Sequence, residues 1–144
     1  MDIIAYFEPL AHSILFRLAV VLLVTDTVFG ILRACRERKF NSCVGIDGAI
    51  RKAGMLISLA LFFMVDTILD LNLIGFIPEE IRGILGLTSV GVMGFFALVY
   101  CVYEIVSVLK NMALAGLPVS KIWKKLAEWL KANTGEISEL PDDE

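Results

Sequence analysis

The fold follows first from SILFRLAVVLLVTDTVFGIL, residues 13–32, an apolar stretch with one acid, Asp26, deep inside it. Two similar stretches follow: residues 53–71 with Asp66, and residues 84–109 with Glu104. At a rise of ~1.5 Å per residue, each is long enough to cross a hydrocarbon core ~30 Å thick. The sequence therefore predicts an all-α membrane protein with three transmembrane helices.

The composition agrees with a chain that lies mostly in lipid. Hydrophobic residues make up 58% of the 144 residues and charged residues 20%, and the mean hydropathy is +0.78. These values lie on the apolar side of the usual balance in a soluble domain. Because about half of the chain belongs to the three stretches, little length remains for a separate catalytic domain.

The charges between the spans predict the orientation of the chain. The connection at residues 33–52 carries six basic and two acidic residues, whereas the connection at 72–83 carries one basic and two acidic residues. Lysine and arginine near the ends of spans mark the cytoplasmic side. We therefore expect a multi-pass protein of the bacterial cytoplasmic membrane, with its N-terminus outside and its C-terminus in the cytoplasm.

Three acids inside the spans are the candidate pore-lining or trigger residues: Asp26, Asp66 and Glu104. A carboxylate at membrane depth costs at least ~2.5 kcal/mol on insertion scales, so such residues usually face each other or water. Three helices cannot enclose a wide lumen, but a ring of many copies can. We expect acids that are neutral or paired in the dispersed chain and hydrated in an assembled ring.

A stripe of small residues predicts close helix packing. Gly94, Ala97 and Cys101 recur at helical spacing in the third span, and Gly30 ends a similar stripe in the first. Small residues let helices approach closely in lipid, where packing drives association. Packing within the chain and packing between subunits both remain open.

The segment between the first two spans is basic and rich in glycine. Residues 33–39 are expected to extend the first helix, and residues 40–48 to break regular structure because of Gly45 and Gly48. A basic turn held against anionic headgroups explains this composition. The candidate residues for lipid contact or gating are Arg38, Lys39, Arg51 and Lys52.

Residues 118–132 predict an amphipathic helix at the inner membrane surface, with apolar residues on one face and lysines on or beside the other. Its candidate interfacial anchors are Trp123, Trp129, Lys124 and Lys125. A binding surface for a soluble partner is the alternative. Residues 1–12 are expected to form a short outer tail, and residues 133–144 a disordered acidic tail.

No pattern of catalytic or cofactor-binding residues is present in the sequence. The single histidine, His12, has no serine and acid to complete a hydrolytic set, and there is no dinucleotide-binding or phosphate-binding loop. Three cysteines, an odd number, with no histidine near the first two predict free thiols and no metal site. We expect no enzyme activity, no cofactor and no nucleic-acid partner.

Several short motifs resemble those of the phage-lysis and toxin-secretion holins of clostridia and related bacteria. The resemblance covers residues 18–125, about three quarters of the chain. Its most specific part runs from Arg38 to Lys52. The matching motifs are Asp26-Thr27-x-x-Gly30, Arg38-Lys39-Phe40-Asn41-Ser42, Gly45-Ile46-Asp47-Gly48, Ile50-Arg51-Lys52, Val65-Asp66, Tyr103-Glu104, Leu109-Lys110-Asn111-Met112 and Gly116-Leu117-Pro118-Val119.

The resemblance implies a small holin with three spans. Such proteins oligomerise in the cytoplasmic membrane and open lesions through which a cytoplasmic endolysin, or a toxin, crosses. It also implies self-association, contact with membrane lipids, a partner antiholin and the same orientation as the charges predict. From the residues alone, a small ion or proton channel and an accessory subunit of a membrane complex remain alternatives.

Overall fold

The computed structural model describes residues 3–38, 42–84, 86–87 and 89–135. Within these residues every regular element is a helix. The helices are α1 (Ile3–His12), α2 (Ile14–Glu37), α3 (Ser42–Leu69), α4 (Glu79–Ile84), α5 (Val92–Leu114) and α6 (Ser120–Thr134). Three segments are long and apolar enough to cross a membrane: Ile14–Glu37, Gly45–Leu69 and Val92–Leu114. The prediction of an all-α protein with three spans and a C-terminal helix is confirmed.

Helix α3 begins earlier than the sequence predicted. It starts at Ser42, so Gly45 and Gly48 lie inside a helix where a break was expected. A glycine costs a helix ~1 kcal/mol relative to alanine, whereas proline costs ~3 kcal/mol. Because α3 contains no proline, its long apolar continuation outweighs two glycines. Residues 39–41, which include the first two residues of the predicted break at 40–48, lie outside the described residues.

Helix α5 begins later than predicted, at Val92 instead of residue 84. The hydropathy of a stretch does not depend on its backbone conformation. The apolar residues among 84–91 therefore look like part of the span in the sequence. In the structure Gly86 has a φ of 67°, and residues 89–91 have no regular conformation. The true start of α5 is set by a contact with α3, described below.

The N-terminal segment also differs from the expected tail, because residues from Ile3 to His12 form α1. The Tyr6 and Thr67 hydroxyls share a hydrogen bond of 2.7 Å, which joins α1 to α3. The Tyr6 and Phe7 rings each lie 6.1 Å from the Phe63 ring, centroid to centroid. Aromatic packing therefore fixes α1 on the helix that forms the second span.

The chain divides into two compact units. The first comprises Met1–Val21 and Cys43–Val102, and the second comprises Leu22–Ser42 and Tyr103–Glu144. Helices α2 and α5 contribute residues to both. Large apolar side chains on all three spans are exposed, and among residues 45–69 of α3 only Leu59 is buried. An exposed apolar surface of this kind is what spans present to lipid or to other spans.

Candidate functional site

Helices α3 and α5 pack antiparallel in the first unit, through contacts that repeat every four residues on both helices. Residues four apart lie on one face of a helix, so the repeat makes a continuous line of contact. We call this line the α3–α5 seam. Its contacts are a 2.8 Å hydrogen bond between the Ser58 and Tyr100 hydroxyls, stacked rings of Phe62 and Phe96 with centroids 4.3 Å apart, and a 2.7 Å hydrogen bond from the Val92 N–H to Asp66 Oδ1.

The Asp66 carboxylate caps the start of α5. Its Oδ1 accepts from the Val92 N–H at 2.7 Å and its Oδ2 from the Met93 N–H at 2.9 Å. The first N–H groups of a helix have no partner inside it, and a negative charge there is favoured by the helix dipole. Asp66 is thus a half-buried acid that supplies another helix with its N-cap, which explains why α5 begins at Val92.

Beyond Asp66 the connection between the two helices continues the seam. The Leu73 N–H donates to the Val90 carbonyl at 2.7 Å, and Asn72 Oδ1 accepts from the Val90 N–H at 3.3 Å. Asp70, with a φ of 46°, directly follows Leu69, the last residue of α3. These contacts hold residues 70–73 and 90–93 side by side.

In the second unit Asp26 of α2 contacts Asn111 of α5. The Asn111 amide donates to Asp26 Oδ1 at 2.8 Å, and Asp26 is 5% exposed. Gly30 lies one turn further along α2, and a Cβ atom there would stand 3.7 Å from Asn111 Nδ2. That distance is an ordinary van der Waals contact, so alanine would also fit beside the amide that reaches Asp26.

Glu104 is also buried in the second unit, with 0% of its surface exposed. It lies seven residues before Asn111, so the two share a face of α5. A buried acid in a span is expensive and usually functional. The structure thus places Asp26 and Glu104 in the interior of the second unit. Asp66 lies in the first unit, where it accepts hydrogen bonds from the start of α5.

The small-residue stripe lies in the interior as well. Ala97 and Cys101 are buried, and a Cβ atom on Gly94 would approach Leu15 Cδ1 to 3.1 Å. Glycine at position 94 therefore leaves room for the Leu15 side chain, whose terminal methyl group would have to shift by a few tenths of an ångström beside alanine. The fourth predicted member, Gly30, lies in the second unit beside Asn111.

Arg36 ties the end of α2 to the end of α5. Its guanidinium donates to the Ala115 carbonyl, and it lies where a side chain on Gly116 would stand. Gly116 has a φ of 78°, a conformation that favours glycine. Sequence reasoning missed both Arg36 and Asn111, because neither stands out among the polar residues at the ends of the spans.

Of the predicted lipid-contact residues, Arg38 directly follows α2, and Arg51 and Lys52 lie in the first half of α3. Arg38 and Arg51 are exposed and Lys52 is half-buried, while Lys39 lies outside the described residues. Arg33, one turn before Glu37, makes an ion pair with it at 2.8 Å. The role of these residues in lipid contact or gating stays a prediction.

The two tryptophans of α6 have different surroundings. Trp123 is 2% exposed and packs with Ala127 against Ala113 of α5, whereas Trp129 is 59% exposed. An indole that is 2% exposed has little surface for lipid, so Trp123 serves helix packing. The interfacial-anchor role stays a prediction for Trp129 and for Lys125, which is exposed, and for Lys124, which is half-buried.

No group of histidine, cysteine and acidic side chains that could hold a metal ion occurs among the described residues. The carboxyl groups of Asp66 and Asp26 each accept hydrogen bonds from another helix.

Comparison with known proteins identifies the family. A model of the bacteriophage holin family matches residues 3–132. The chain is 39% identical over 130 residues to the holin-like protein TcdE of Clostridioides difficile, covering 90% of this chain and 78% of that protein. It is 30% identical over 122 residues to an uncharacterized protein of Halalkalibacterium halodurans, covering 84% and 81%. No solved structure matches. Since the family match spans nearly the whole chain, this protein belongs to the bacteriophage holin family.

Proposed function

We propose that this holin self-associates in the bacterial cytoplasmic membrane and opens lesions through which an endolysin or a toxin leaves the cell, without enzyme activity of its own. The family supports a role in membrane permeabilisation. The positive connection at residues 33–52 supports an N-terminus outside and a C-terminus in the cytoplasm. An antiholin that delays opening is part of the same proposal.

The burial of Asp26 and Glu104 inside apolar spans carries this proposal. Many exposed side chains of the spans are apolar, whereas the carboxyl groups of Asp26 and Glu104 are buried. An aqueous lesion needs polar groups on its wall. Helices α2 and α5 can supply such groups, because each of them carries one of these two buried acids. Opening therefore requires the helices of one chain to separate and to pair again with those of other chains.

The membrane potential can bias such a rearrangement. Moving one elementary charge through 100 mV is worth ~2.3 kcal/mol. A displacement of one charge in each of many copies adds to a large total, so an assembly of holins can respond steeply to loss of the potential.

The test is induced expression in bacteria, with and without a co-expressed cytoplasmic endolysin. Culture turbidity and release of the endolysin are followed for the wild type, Asp26→Asn and Glu104→Gln. These substitutions keep the size of each side chain and remove its ability to ionise. The matched control is Asp70→Asn, because Asp70 is exposed and asparagine tolerates its left-handed backbone conformation.

We expect abrupt lysis that needs the endolysin and that an uncoupler brings forward. Asp26→Asn and Glu104→Gln are expected to delay or abolish it, whereas Asp70→Asn is expected to lyse on time. Wild-type timing in both buried-acid variants contradicts the role of these acids. Ion leakage without release of protein instead supports a small channel, and no phenotype at confirmed membrane expression supports an accessory subunit.

A further inference from the structure

Helix α6 presents an exposed edge made of Ile122, Lys125 and Trp129, which we call the α6 edge. Spacings of three and four residues place the three on one side of the helix. Ile122 is 61% and Trp129 59% exposed. Two large apolar side chains therefore lie on the same side of a short helix, with a lysine between them. Exposing such an apolar surface to water is unfavourable, and it is typical of a binding site.

The orientation of this edge is fixed by the opposite face of the helix. Trp123 and Ala127 are buried against Ala113 of α5. Partly buried apolar side chains complete that contact: Val106, Leu109, Val119 and Leu126. Because the packed face cannot turn outward without losing this core, Ile122 and Trp129 stay exposed.

The attachment of α6 keeps this edge close to the membrane. Helix α5, which is long and apolar enough to span a bilayer, ends at Leu114, and α6 begins at Ser120. Five residues separate them, which span at most ~18 Å when fully extended. The contact of Trp123 with Ala113 shortens this distance further, since Ala113 lies in the last turn of α5.

The charge of α6 indicates which surface it meets. The helix contains four lysines and one acid, a net charge of +3: Lys121, Lys124, Lys125, Lys131 and Glu128. Lysines beside a membrane are attracted to anionic lipids, and tryptophan is enriched at the level of the headgroups. An apolar pair flanked by lysines therefore matches a bilayer surface that contains anionic phospholipid.

We infer that the α6 edge docks on the headgroup region of anionic phospholipids, with Trp129 at the boundary of the acyl chains and Lys125 at the phosphates. The inference rests on the membrane placement of the spans in the proposed function, but not on the formation of lesions. A soluble acidic protein is the competing occupant, and the test separates the two because it contains only this chain and lipid.

The full chain is reconstituted in phosphatidylcholine vesicles that contain a fixed fraction of brominated phosphatidylglycerol or of brominated phosphatidylcholine. Bromine quenches tryptophan fluorescence at short range, so quenching reports lipid contact. The proteins compared are the wild type, Trp129→Phe, and the double variant Lys121→Gln/Lys125→Gln. Trp129→Phe is the matched control, because it leaves only the buried Trp123 as a reporter.

We expect brominated phosphatidylglycerol to quench the wild type at least twofold more than brominated phosphatidylcholine does. We expect most of this quenching to disappear in Trp129→Phe, and its preference for the anionic lipid to disappear in the lysine variant. Equal quenching in the wild type and in Trp129→Phe overturns the inference, and so does equal quenching by the two lipids.

Dye release from the same vesicles is recorded in parallel, so that failure of the two proposals can be told apart. If the vesicles release their dye but Trp129 is not quenched, docking of the α6 edge is contradicted and lesion formation is still supported. Quenching of Trp129 in vesicles that retain their dye supports docking and counts against lesion formation by this chain alone.

Discussion

The carboxyl group of Asp66 lies where a side chain on Gly91 would stand: a Cβ atom at position 91 would come within 2.5 Å of Asp66 Cγ. Both residues take part in the contact between α3 and α5. Asp66 lies on α3, and Gly91 directly precedes Val92 and Met93, whose N–H groups donate to the Asp66 carboxylate. The glycine is needed here for space and not for its backbone, because its φ is not positive. Together they set where the third span begins.

Replacing Gly91 by alanine is expected to destabilise the folded chain by about 1–3 kcal/mol, the usual cost of overpacking a close contact. The methyl group must push the Asp66 carboxylate away from the start of α5. Thermal unfolding of the purified protein in detergent, followed by circular dichroism, measures the effect. The matched control is Gly54→Ala in α3, where a Cβ atom has nothing within 4 Å. That variant should be as stable as the wild type or more so, and an equal loss in both contradicts the close contact.

Substitutions of Asp66 itself are expected to follow the number of hydrogen-bond acceptors that remain. Asparagine keeps one acceptor oxygen and alanine keeps none, so the order of stability should be wild type, Asp66→Asn, Asp66→Ala. Loss of a capping side chain to alanine typically costs ~1 kcal/mol. The same detergent unfolding measures it. Hydrogen exchange of the Val92 and Met93 amides should quicken in the alanine variant, and unchanged exchange there is incompatible with the cap.

Much of this fold was predictable from the sequence, because a long apolar segment in a bilayer has few possible backbone conformations besides a helix. Residues 13–32 and 53–71 were recognised as spans since length and apolarity suffice for a helix in a bilayer. The cap of α5 was not predictable, because capping patterns in sequence are local and Asp66 lies 25 residues before Gly91. Hydropathy alone therefore placed the start of the third span too early.

The different surroundings of the three candidate acids were also not predictable from the sequence. The sequence alone gives Asp26, Asp66 and Glu104 the same description, as acids inside apolar stretches. The structure distinguishes them by partner: Asp66 accepts from backbone N–H groups, and Asp26 accepts from the amide of Asn111. Such partners come from other helices, and one sequence without its contacts does not reveal them.

The hydrogen bond between Asp26 and Asn111 is expected to give a coupling free energy of about 0.5–1.5 kcal/mol, the range for one hydrogen bond inside a protein. A double-mutant cycle of Asp26→Ala and Asn111→Ala measures it by unfolding in detergent. The control cycle pairs Asn111→Ala with Glu128→Ala, an exposed position on α6, and should give a coupling near zero. Equal couplings in the two cycles speak against a specific contact.

Gly116 is expected to tolerate alanine less well than Gly135, although both have a positive φ, of 78° and 72°. Alanine in that conformation costs ~1–2 kcal/mol at either position. Only at Gly116 does the added methyl group also meet the Arg36 guanidinium, since nothing lies within 4 Å of a Cβ atom at Gly135. Gly116→Ala should therefore lose more stability than Gly135→Ala in detergent unfolding. The excess should vanish when both are made in an Arg36→Ala background, because the guanidinium that causes it is gone. An excess that persists there assigns the cost to the backbone of Gly116, and α2 is then not tied to the end of α5 through Arg36.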